Sequence, residues 1–158
     1  MPGVLGVRRT LIAGVALALS TFLVLGVAVR TDAHAASGFG RRRQMLALTN
    51  DDREARDRAD LAFAARVSRY AKRHSREMAA KGYIFHSTTD QLRGAFSGLD
   101  WSLGGENVGV GGSLQSLEDA FMASKLHREN ILRPEFSHAA IGVVRADGRI
   151  WVTVIFYG

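Results

Sequence analysis

Apolar side chains recur at helical spacing toward the end of the chain's first half. Between Leu61 and Met78 they follow the i, i+3, i+4, i+7 order of one buried stripe. Asp60 is the expected N-cap of this helix, and Lys81 followed by Gly82 marks its end. The predicted stripe consists of Leu61, Ala64, Val67 or Ser68, Ala71, Ser75 and Met78.

Another helix is predicted just before this one. Met45, Leu46 and Leu48 supply its apolar side, and the following residues are dense in both charges. A polar break near Asp57 and Asp60 separates the two helices.

The stretch after Gly82 predicts a short helix and then a short strand. The turn-like residues 87–90 can cap a helix that runs toward Phe96. Val108 and Val110 alternate with glycines, which is typical of a short strand that passes close to another part of the chain.

A third amphipathic helix is predicted from Ser116, because a serine with Asp119 three residues later resembles a capping box. Pro134 ends whichever helix carries His127. The inner stripe of the third helix consists of Leu117, Ala120, Phe121 and Ser124.

The clearest strand signal lies at the end of the sequence. Two runs rich in β-branched residues, 141–144 and 150–157, flank Asp147 and Gly148, a pair favoured in type I′ hairpin turns. Helices that precede and separate strands, with a hairpin last, predict an α+β layered domain.

The first 35 residues have the pattern of a targeting segment. Two arginines precede an uncharged run, residues 10–29, which at about 1.5 Å per residue can cross the hydrocarbon core as a helix. Ala-His-Ala at residues 33–35 offers a cleavage site. A cleaved signal peptide and an uncleaved membrane anchor both stay open, and both place the rest of the chain outside the cytoplasm, secreted or held at the outer face of the membrane. Residues 36–44 are the predicted linker and residues 45–158 the folded domain.

Positive charge is concentrated in the first part of that domain. Residues 41–81 hold twelve Lys or Arg against six Asp or Glu, whereas residues 82–158 hold six against eight. A basic face of this kind meets anionic lipid or wall polymer, or is simply a solvated helix surface. No basic ribbon with interleaved aromatic residues occurs, so no nucleic-acid partner is expected. The absence of cysteine excludes disulfides and a thiol nucleophile and leaves stability to core packing.

Three side chains from separate parts of the chain carry the candidate chemistry. His86, Glu106 and His127 supply two imidazoles and one carboxylate, a common ligand set for zinc with water in the fourth position. A buried Glu–His network that only locks loops together is an equally open interpretation.

Other polar and aromatic residues have plainer interpretations. Ser124 lies within helical reach of His127, so a Ser–His pair is conceivable, although no oxyanion hole accompanies it. His74 is expected to pack beside its helix, and His138 to lie in an exposed loop. Trp101 is expected to plug the core rather than line a cleft.

The ordered set of motifs is more specific than any one of them. His86 follows an apolar run, Gly-Glu-Asn stands at 105–107, and His127 is followed by Arg-x-Asn-Ile-Leu before the final hairpin. This set resembles the CAP domain, the SCP/PR1-like superfamily of cysteine-rich secretory proteins, antigen 5 and pathogenesis-related 1 proteins, in its short cysteine-free bacterial form. The resemblance implies a three-layer α-β-α sandwich with a small, mostly antiparallel central sheet.

The resemblance also implies a central cleft with two histidines and two glutamates. His86, Glu106 and His127 match three of these positions, and they are the implied metal ligands. Ser124 stands where the second glutamate is expected, which leaves the site with one carboxylate. Asn107 completes the expected cleft residues.

The implied function is a non-enzymatic binding module outside the cytoplasm. Its cleft would hold zinc or another divalent cation, or a small apolar ligand such as a lipid or cell-wall component. The alternative is a metal-dependent hydrolase acting on cell-wall or peptide substrates, with Glu106 as the catalytic candidate. Residues 10–29 would add the membrane as a partner if they are retained.

Overall fold

The computed structural model describes the backbone of residues 22–158 and the side chains of residues 38–158. The chain divides into two compact units, residues 1–34 and residues 35–158. In the described part, the helices are α1 Phe22–Glu54, α2 Ala65–Lys81, α3 Thr89–Phe96, α4 Leu114–Ala123 and α5 Lys125–Leu132. The strands are β1 Ala62–Phe63, β2 Gly104–Gly111, β3 His138–Ala146 and β4 Arg149–Tyr157.

The four strands form one mixed sheet in the order β1-β3-β4-β2. β3 and β4 are antiparallel and are joined by Asp147 and Gly148, whose φ angles of 49° and 73° are the positive values that a type I′ turn requires. β2 pairs antiparallel with the other side of β4, and the short β1 pairs in parallel with β3. The predicted hairpin and the mostly antiparallel sheet are confirmed.

Helices cover both faces of the sheet, which confirms the three-layer α-β-α arrangement. α2 packs against β3 and β4 on one face, with α3 beside it. The opposite face meets α4, α5 and the C-terminal part of α1. Because both faces are covered, β4 is buried at every residue from Ile150 to Tyr157. The core on the α4 side includes Met45, Leu117, Phe121, Ile141, Val152 and Phe156.

α2 lies very close to β3 where Gly142 faces Ala71. A Cβ atom on Gly142 would lie 2.2 Å from the carbonyl carbon and oxygen of Ala71, so this approach requires glycine. Ser75 joins the two layers, since its Oγ lies 2.9 Å from Thr153 Oγ1 and 3.2 Å from the Gly142 carbonyl oxygen. Every residue of the predicted stripe is buried, and Gly82 ends α2 in the left-handed conformation, as predicted.

The prediction that Asp60 caps α2 is wrong. The N-cap is Ala64, with no side-chain hydrogen bond, and the residues before it form β1. The Ala62 N–H donates to the Ser137 carbonyl and the Ala64 N–H to the Ala139 carbonyl, each at 2.9 Å. Pairing with a strand far away in the sequence therefore outweighs the local capping signal.

The capping box predicted at Ser116 and Asp119 is also wrong, because α4 begins earlier. Ser113 is the N-cap, and its hydroxyl accepts the Ser116 N–H at 3.1 Å while the Ser116 hydroxyl oxygen accepts the Ser113 N–H at 3.3 Å. Ala120 is exposed instead of facing inward. The buried face of α4 consists of Leu114, Leu117, Glu118 and Phe121.

The short helix predicted to be capped by residues 87–90 is confirmed as α3, whose capping box joins Thr88 and Gln91. Trp101 is half-buried: its ring packs against Phe96 with centroids 4.7 Å apart, but it also lines a surface groove beside Gly104. His138 does not lie in an exposed loop. It begins β3, where its half-buried ring stacks on Tyr157 at 4.8 Å.

Helix α1 continues through residues 36–44, the predicted linker. Alanines before and within this segment favour the helix, since alanine has the highest helix propensity. The predicted targeting segment falls mainly on residues 1–21, which lie outside the described residues. Among the helices of residues 22–158, none is both long and apolar enough to cross a membrane.

Candidate functional site

The edge strand β2 carries two adjacent polar residues on opposite faces of the sheet. Glu106 pairs with Ile155 of β4, a residue of the core beneath α2, and Asn107 pairs with Val154, a residue of the core beneath α4. Both polar side chains are buried. Strand alternation therefore turns the carboxylate toward the α2 layer and the amide toward the α5 layer.

The segment between α2 and α3 holds the Glu106 carboxylate through two consecutive residues. The Ser87 N–H donates to Oε2 at 2.8 Å, and the Ser87 hydroxyl donates to Oε1 at 2.7 Å. His86 Nδ1 donates to Oε2 at 3.0 Å. These three donors hold both carboxylate oxygens in place, and the Glu106 side chain is only 4% exposed.

The bond to Glu106 also fixes which nitrogen of His86 remains available. A carboxylate only accepts, so Nδ1 carries the proton and a neutral ring leaves Nε2 with its lone pair. The His86 side chain is 59% exposed, in contrast to its buried partner. This is the arrangement in which a carboxylate orients a metal-binding histidine from behind.

Two residues of α2 support this site, and the sequence prediction did not assign them to it. His74 is buried, its Nε2 donates to the Phe85 carbonyl at 2.8 Å, and the same nitrogen lies 3.9 Å from Glu106 Oε1. The Tyr70 hydroxyl donates to Ser87 Oγ at 2.8 Å. The four-residue spacing of Tyr70 and His74, which puts both on one helix face beside the buried stripe, was the signal that could have found them.

Asn107 ties β2 to α5 on the other face. Its side-chain N–H donates to the His127 carbonyl at 3.0 Å, and its oxygen accepts from Asn130 at 2.9 Å. Asn130 also approaches Gly105 closely, because a Cβ there would lie 2.7 Å from the Asn130 oxygen. The completely buried Asn107 thus fixes the position of the helix turn that carries His127.

His127 stands on the α5 side of β2. Its ring is half-buried and meets Phe121 edge-on, with ring centroids 5.1 Å apart. Burial lowers the pKa of His127, and a charge on nearby His86 lowers that pKa further. Glycine at position 109 makes room for Phe121, since a Cβ there would lie 3.0 Å from the Phe121 ring. Both effects favour the neutral form of the His127 ring.

Ser124 is the junction between α4 and α5. Its backbone is extended, with φ −84° and ψ 124°, and it makes no side-chain capping bond. Within residues 38–158, no hydrogen bond joins its hydroxyl to His127, so the conceivable Ser–His pair is not formed. In the same part of the chain, no three His, Asp or Glu side chains are arranged to hold a metal ion.

A three-layer α-β-α domain with this histidine–glutamate pair at an edge strand, and a second histidine on the helix across it, is a CAP-type domain. The family model described as the cysteine-rich secretory protein family, CAP, matches residues 46–156. The chain belongs to this family.

Three bacterial proteins are similar to the chain. It is 30% identical over 116 residues to the uncharacterized protein YkwD of Bacillus subtilis, and the match covers 69% of this chain and 44% of that protein. An extracellular SCP-domain protein of Bacillus anthracis is 25% identical with a TM-score of 0.65, over 76% of this chain and 41% of that one. An outer surface protein of Borrelia burgdorferi shares the fold, with a TM-score of 0.65 at 17% identity, over 73% of this chain and 90% of that one. The chain thus spans less than half the length of the two Bacillus proteins.

Proposed function

We propose that this CAP domain is a non-catalytic binding module that works outside the cytoplasm and holds a divalent cation weakly between His86 and His127. In this proposal the two imidazoles are the direct ligands. Glu106 does not bind the cation and instead orients His86 from behind.

The hydrogen bonds on Glu106 carry the proposal. Both carboxylate oxygens already accept from Ser87 and His86, so binding a metal directly would break bonds that are formed in the folded protein. A hydrolase of this type needs a carboxylate that is free to take a proton from water. Ser124 stands where the second carboxylate of the family is expected, so the chain does not supply that group there.

Neutral imidazoles are the protein groups that bind zinc and similar cations readily. The lowered pKa of His127 favours the neutral form of that ring at pH 7, and the exposure of the His86 ring leaves its Nε2 accessible to a cation. With two protein ligands, water would complete the coordination. Such a site binds more weakly than a structural zinc site with four protein ligands.

A zinc titration of the full chain by calorimetry tests the proposal. His86→Ala and His127→Ala should each abolish measurable binding. Glu106→Gln should weaken binding by roughly tenfold to a hundredfold, as expected when the residue behind a metal ligand is changed.

His138→Ala is the matched control, because it removes an imidazole that stacks on Tyr157 at the start of β3. This variant should bind zinc like the wild type. Unchanged zinc affinity in the double variant His86→Ala, His127→Ala would contradict the proposal, provided that circular dichroism shows both proteins folded.

The hydrolase alternative has its own readout. A panel of peptide, ester and cell-wall substrates with the zinc-loaded full chain would support it only if turnover vanished in folded Glu106→Gln. Turnover that persists in Glu106→Gln would point to a contaminating enzyme, and turnover lost in that variant would overturn the non-catalytic proposal.

A small apolar ligand is the second candidate. Leu92, Phe96 and Trp101 line a groove of about 150 Å³ beside Gly104. Ligand pockets are usually about 300–1,000 Å³, so this groove fits only a short hydrocarbon segment. Binding of a short-chain fatty acid that Trp101→Ala abolishes would support it.

The location outside the cytoplasm is supported by the extracellular Bacillus anthracis protein and the Borrelia burgdorferi outer surface protein. Protease treatment of intact cells that express the full chain tests it. Digestion of the domain in intact cells is the expected result, and protection until lysis would contradict it. The mass of the mature protein then tells whether residues 10–29 are retained as an anchor or removed.

A further inference from the structure

A groove of about 330 Å³ runs between α2 and α3, and neither histidine of the proposed cation site lines it. Three arginine side chains, Arg66, Arg69 and Arg73, line it from α2, and Gln91 lines it from α3. All three arginines are exposed, and they recur at the i, i+3, i+7 spacing of one helix stripe. The sequence predicted a basic face in this region, and the structure adds that part of it is concave.

The charge of this groove is not balanced by the surrounding protein. α2 carries six basic residues and a single acidic one, Glu77. Among the ion pairs of the described residues, none includes Arg66, Arg69 or Arg73. Arg66 donates to the Ser97 carbonyl, and the Arg73 guanidinium lies over the Tyr70 ring at 5.5 Å. These contacts orient the guanidinium groups without neutralising them.

The excess charge continues onto the neighbouring turns. Lys72 and Arg76 lie on the same helix, and the charge of Arg42 on α1 acts on Lys72. Burial lowers the pKa of Lys72, and the charges of Arg76 and Arg42 lower it further. This mutual repulsion would be relieved by an anion bound along the helix.

We propose that the groove between α2 and α3 binds a linear, phosphate-bearing polyanion, with Arg66, Arg69 and Arg73 contacting successive phosphates. The planar guanidinium fork matches phosphate oxygens two at a time, which makes arginine the suitable residue for this contact. The stripe spans seven residue steps of helix, about 10 Å at 1.5 Å per residue, so an extended anion can meet all three arginines along the helix. The concave shape fits a chain lying in the groove and does not fit a flat bilayer.

This groove is independent of the proposed cation site, although the two are neighbours. Tyr70 lines the groove and its hydroxyl donates to Ser87, the residue that holds Glu106. A polymer in the groove would therefore pass beside the His86 loop without needing a metal there.

The test is the binding of fluorescently labelled inorganic polyphosphate to the full chain at several sodium chloride concentrations. The triple variant Arg66→Gln, Arg69→Gln, Arg73→Gln should bind on the order of tenfold more weakly or worse. Its slope of log affinity against log salt should fall by about two, at roughly 0.7 for each lost phosphate contact on a flexible strand. The NMR titration of His127 should not change, which separates this result from the cation site.

The matched control is Lys125→Gln, Arg145→Gln, Arg149→Gln, which removes the same charge from exposed positions elsewhere. This control should keep wild-type affinity. Equal losses in both triple variants would reduce the effect to net charge and overturn the proposal. So would competition by orthophosphate as effective as the polymer per phosphate, tighter binding of a single-stranded oligonucleotide, or binding only to phosphatidylglycerol vesicles.

Discussion

Ser87 holds both oxygens of the Glu106 carboxylate, Oε2 through its backbone N–H at 2.8 Å and Oε1 through its hydroxyl at 2.7 Å. The hydroxyl also accepts from Tyr70, so it links α2 to the edge strand. Because His86 is the adjacent residue, the same short segment places an imidazole against the carboxylate that it holds. The orientation of His86 therefore depends on Ser87, although Ser87 is not itself a ligand in the proposed cation site.

Ser87→Ala should loosen this arrangement without unfolding the domain. It removes one hydrogen bond to a buried carboxylate and leaves Oε1 without that donor, which costs about 1.5–3 kcal/mol of unfolding free energy. Urea denaturation followed by fluorescence measures the loss. Ser97→Ala, at an exposed position, is the control and should change the free energy by less than about 0.5 kcal/mol. Equal stability of the two variants would show that the hydrogen bond from the Ser87 hydroxyl to Glu106 does not stabilise the fold.

Arg53 makes a second buried connection, which joins the end of α1 to the last turn of α5 and the segment after it. It is 1% exposed, and its guanidinium donates only to backbone carbonyl oxygens. The acceptors are Ala59 at 2.7 Å, Ile131 at 2.6 Å, Arg133 at 3.0 Å and Phe136 at 3.3 Å.

Arg53→Met should destabilise the domain by at least about 3 kcal/mol, because it keeps the side-chain bulk but leaves several buried carbonyl groups without donors. Arg53→Lys should recover only part of the lost stability, since the lysine ammonium group cannot reproduce the planar set of donors that the guanidinium offers to the four carbonyl oxygens. The measurement is the midpoint of urea unfolding, with the exposed Arg56→Met as control. A small effect of Arg53→Met, comparable with that of Arg56→Met, would mean that water satisfies the carbonyls.

The elements that the sequence predicted correctly are those with local causes. The turn at Asp147 and Gly148 needs two positive φ angles, and this residue pair tolerates them wherever the flanking runs pair. The stripe on α2 is likewise visible within one helix. The prediction that Asp60 caps α2 was wrong because the residues after Asp60 form β1. That strand exists only through its pairing with β3, which no local sequence pattern shows.

The residues of the candidate site also differ in whether the sequence could predict their role. The proximity of His86 and Glu106 followed from a family resemblance and not from spacing. His74 was interpreted as a packing residue, because a histidine beside an apolar stripe has the same pattern whether or not a carboxylate lies near it. The 3.9 Å approach of His74 to Glu106 depends on how α2 is placed over β2, which is a tertiary relationship.

Gly142 offers a direct test of the layer spacing. Gly142→Ala would put a methyl group 2.2 Å from the backbone of Ala71, so α2 must move away from the sheet. We expect a loss of more than about 3 kcal/mol, at or beyond the upper end for overpacking. The control is Gly94→Ala in α3, where a Cβ would meet nothing within 4 Å, and which should stabilise the helix by about 0.5–1 kcal/mol. The two variants should shift the thermal midpoint in opposite directions, and a neutral Gly142→Ala would contradict the close packing.

Glu118 makes stability depend on pH. It lies on the buried face of α4 at 1% exposure, and within the described residues neither carboxyl oxygen has a hydrogen-bond partner. Burial raises the pKa of Glu118 from 4.5 to about 7, with the nearby Thr49 hydroxyl opposing the rise and the charges of Asp52 and Asp119 adding to it. The carboxyl group is therefore protonated in the folded protein over a pH range in which it is ionised in the unfolded chain.

The sign of the effect follows from that difference. Below pH 4.5 the group is neutral in both states, and the fold is not penalised. As pH rises through the folded pKa of about 7, the unfolded chain has already lost its proton while the folded one resists losing it, so stability falls. A shift of this size corresponds to about 3 kcal/mol lost between pH 4.5 and pH 8.

Glu118→Gln should remove this dependence, because the amide is neutral at every pH and has nearly the same shape. The variant should match the wild type near pH 4.5 and be more stable than it at pH 8 by up to about 3 kcal/mol. Urea denaturation across this range measures the difference, with the exposed Glu135→Gln as control. Parallel pH curves for wild type and Glu118→Gln would show that the Glu118 carboxyl group titrates normally and is hydrated in the folded protein. A carboxyl resonance of Glu118 that titrates near pH 7 would identify this residue directly as the source of the slope.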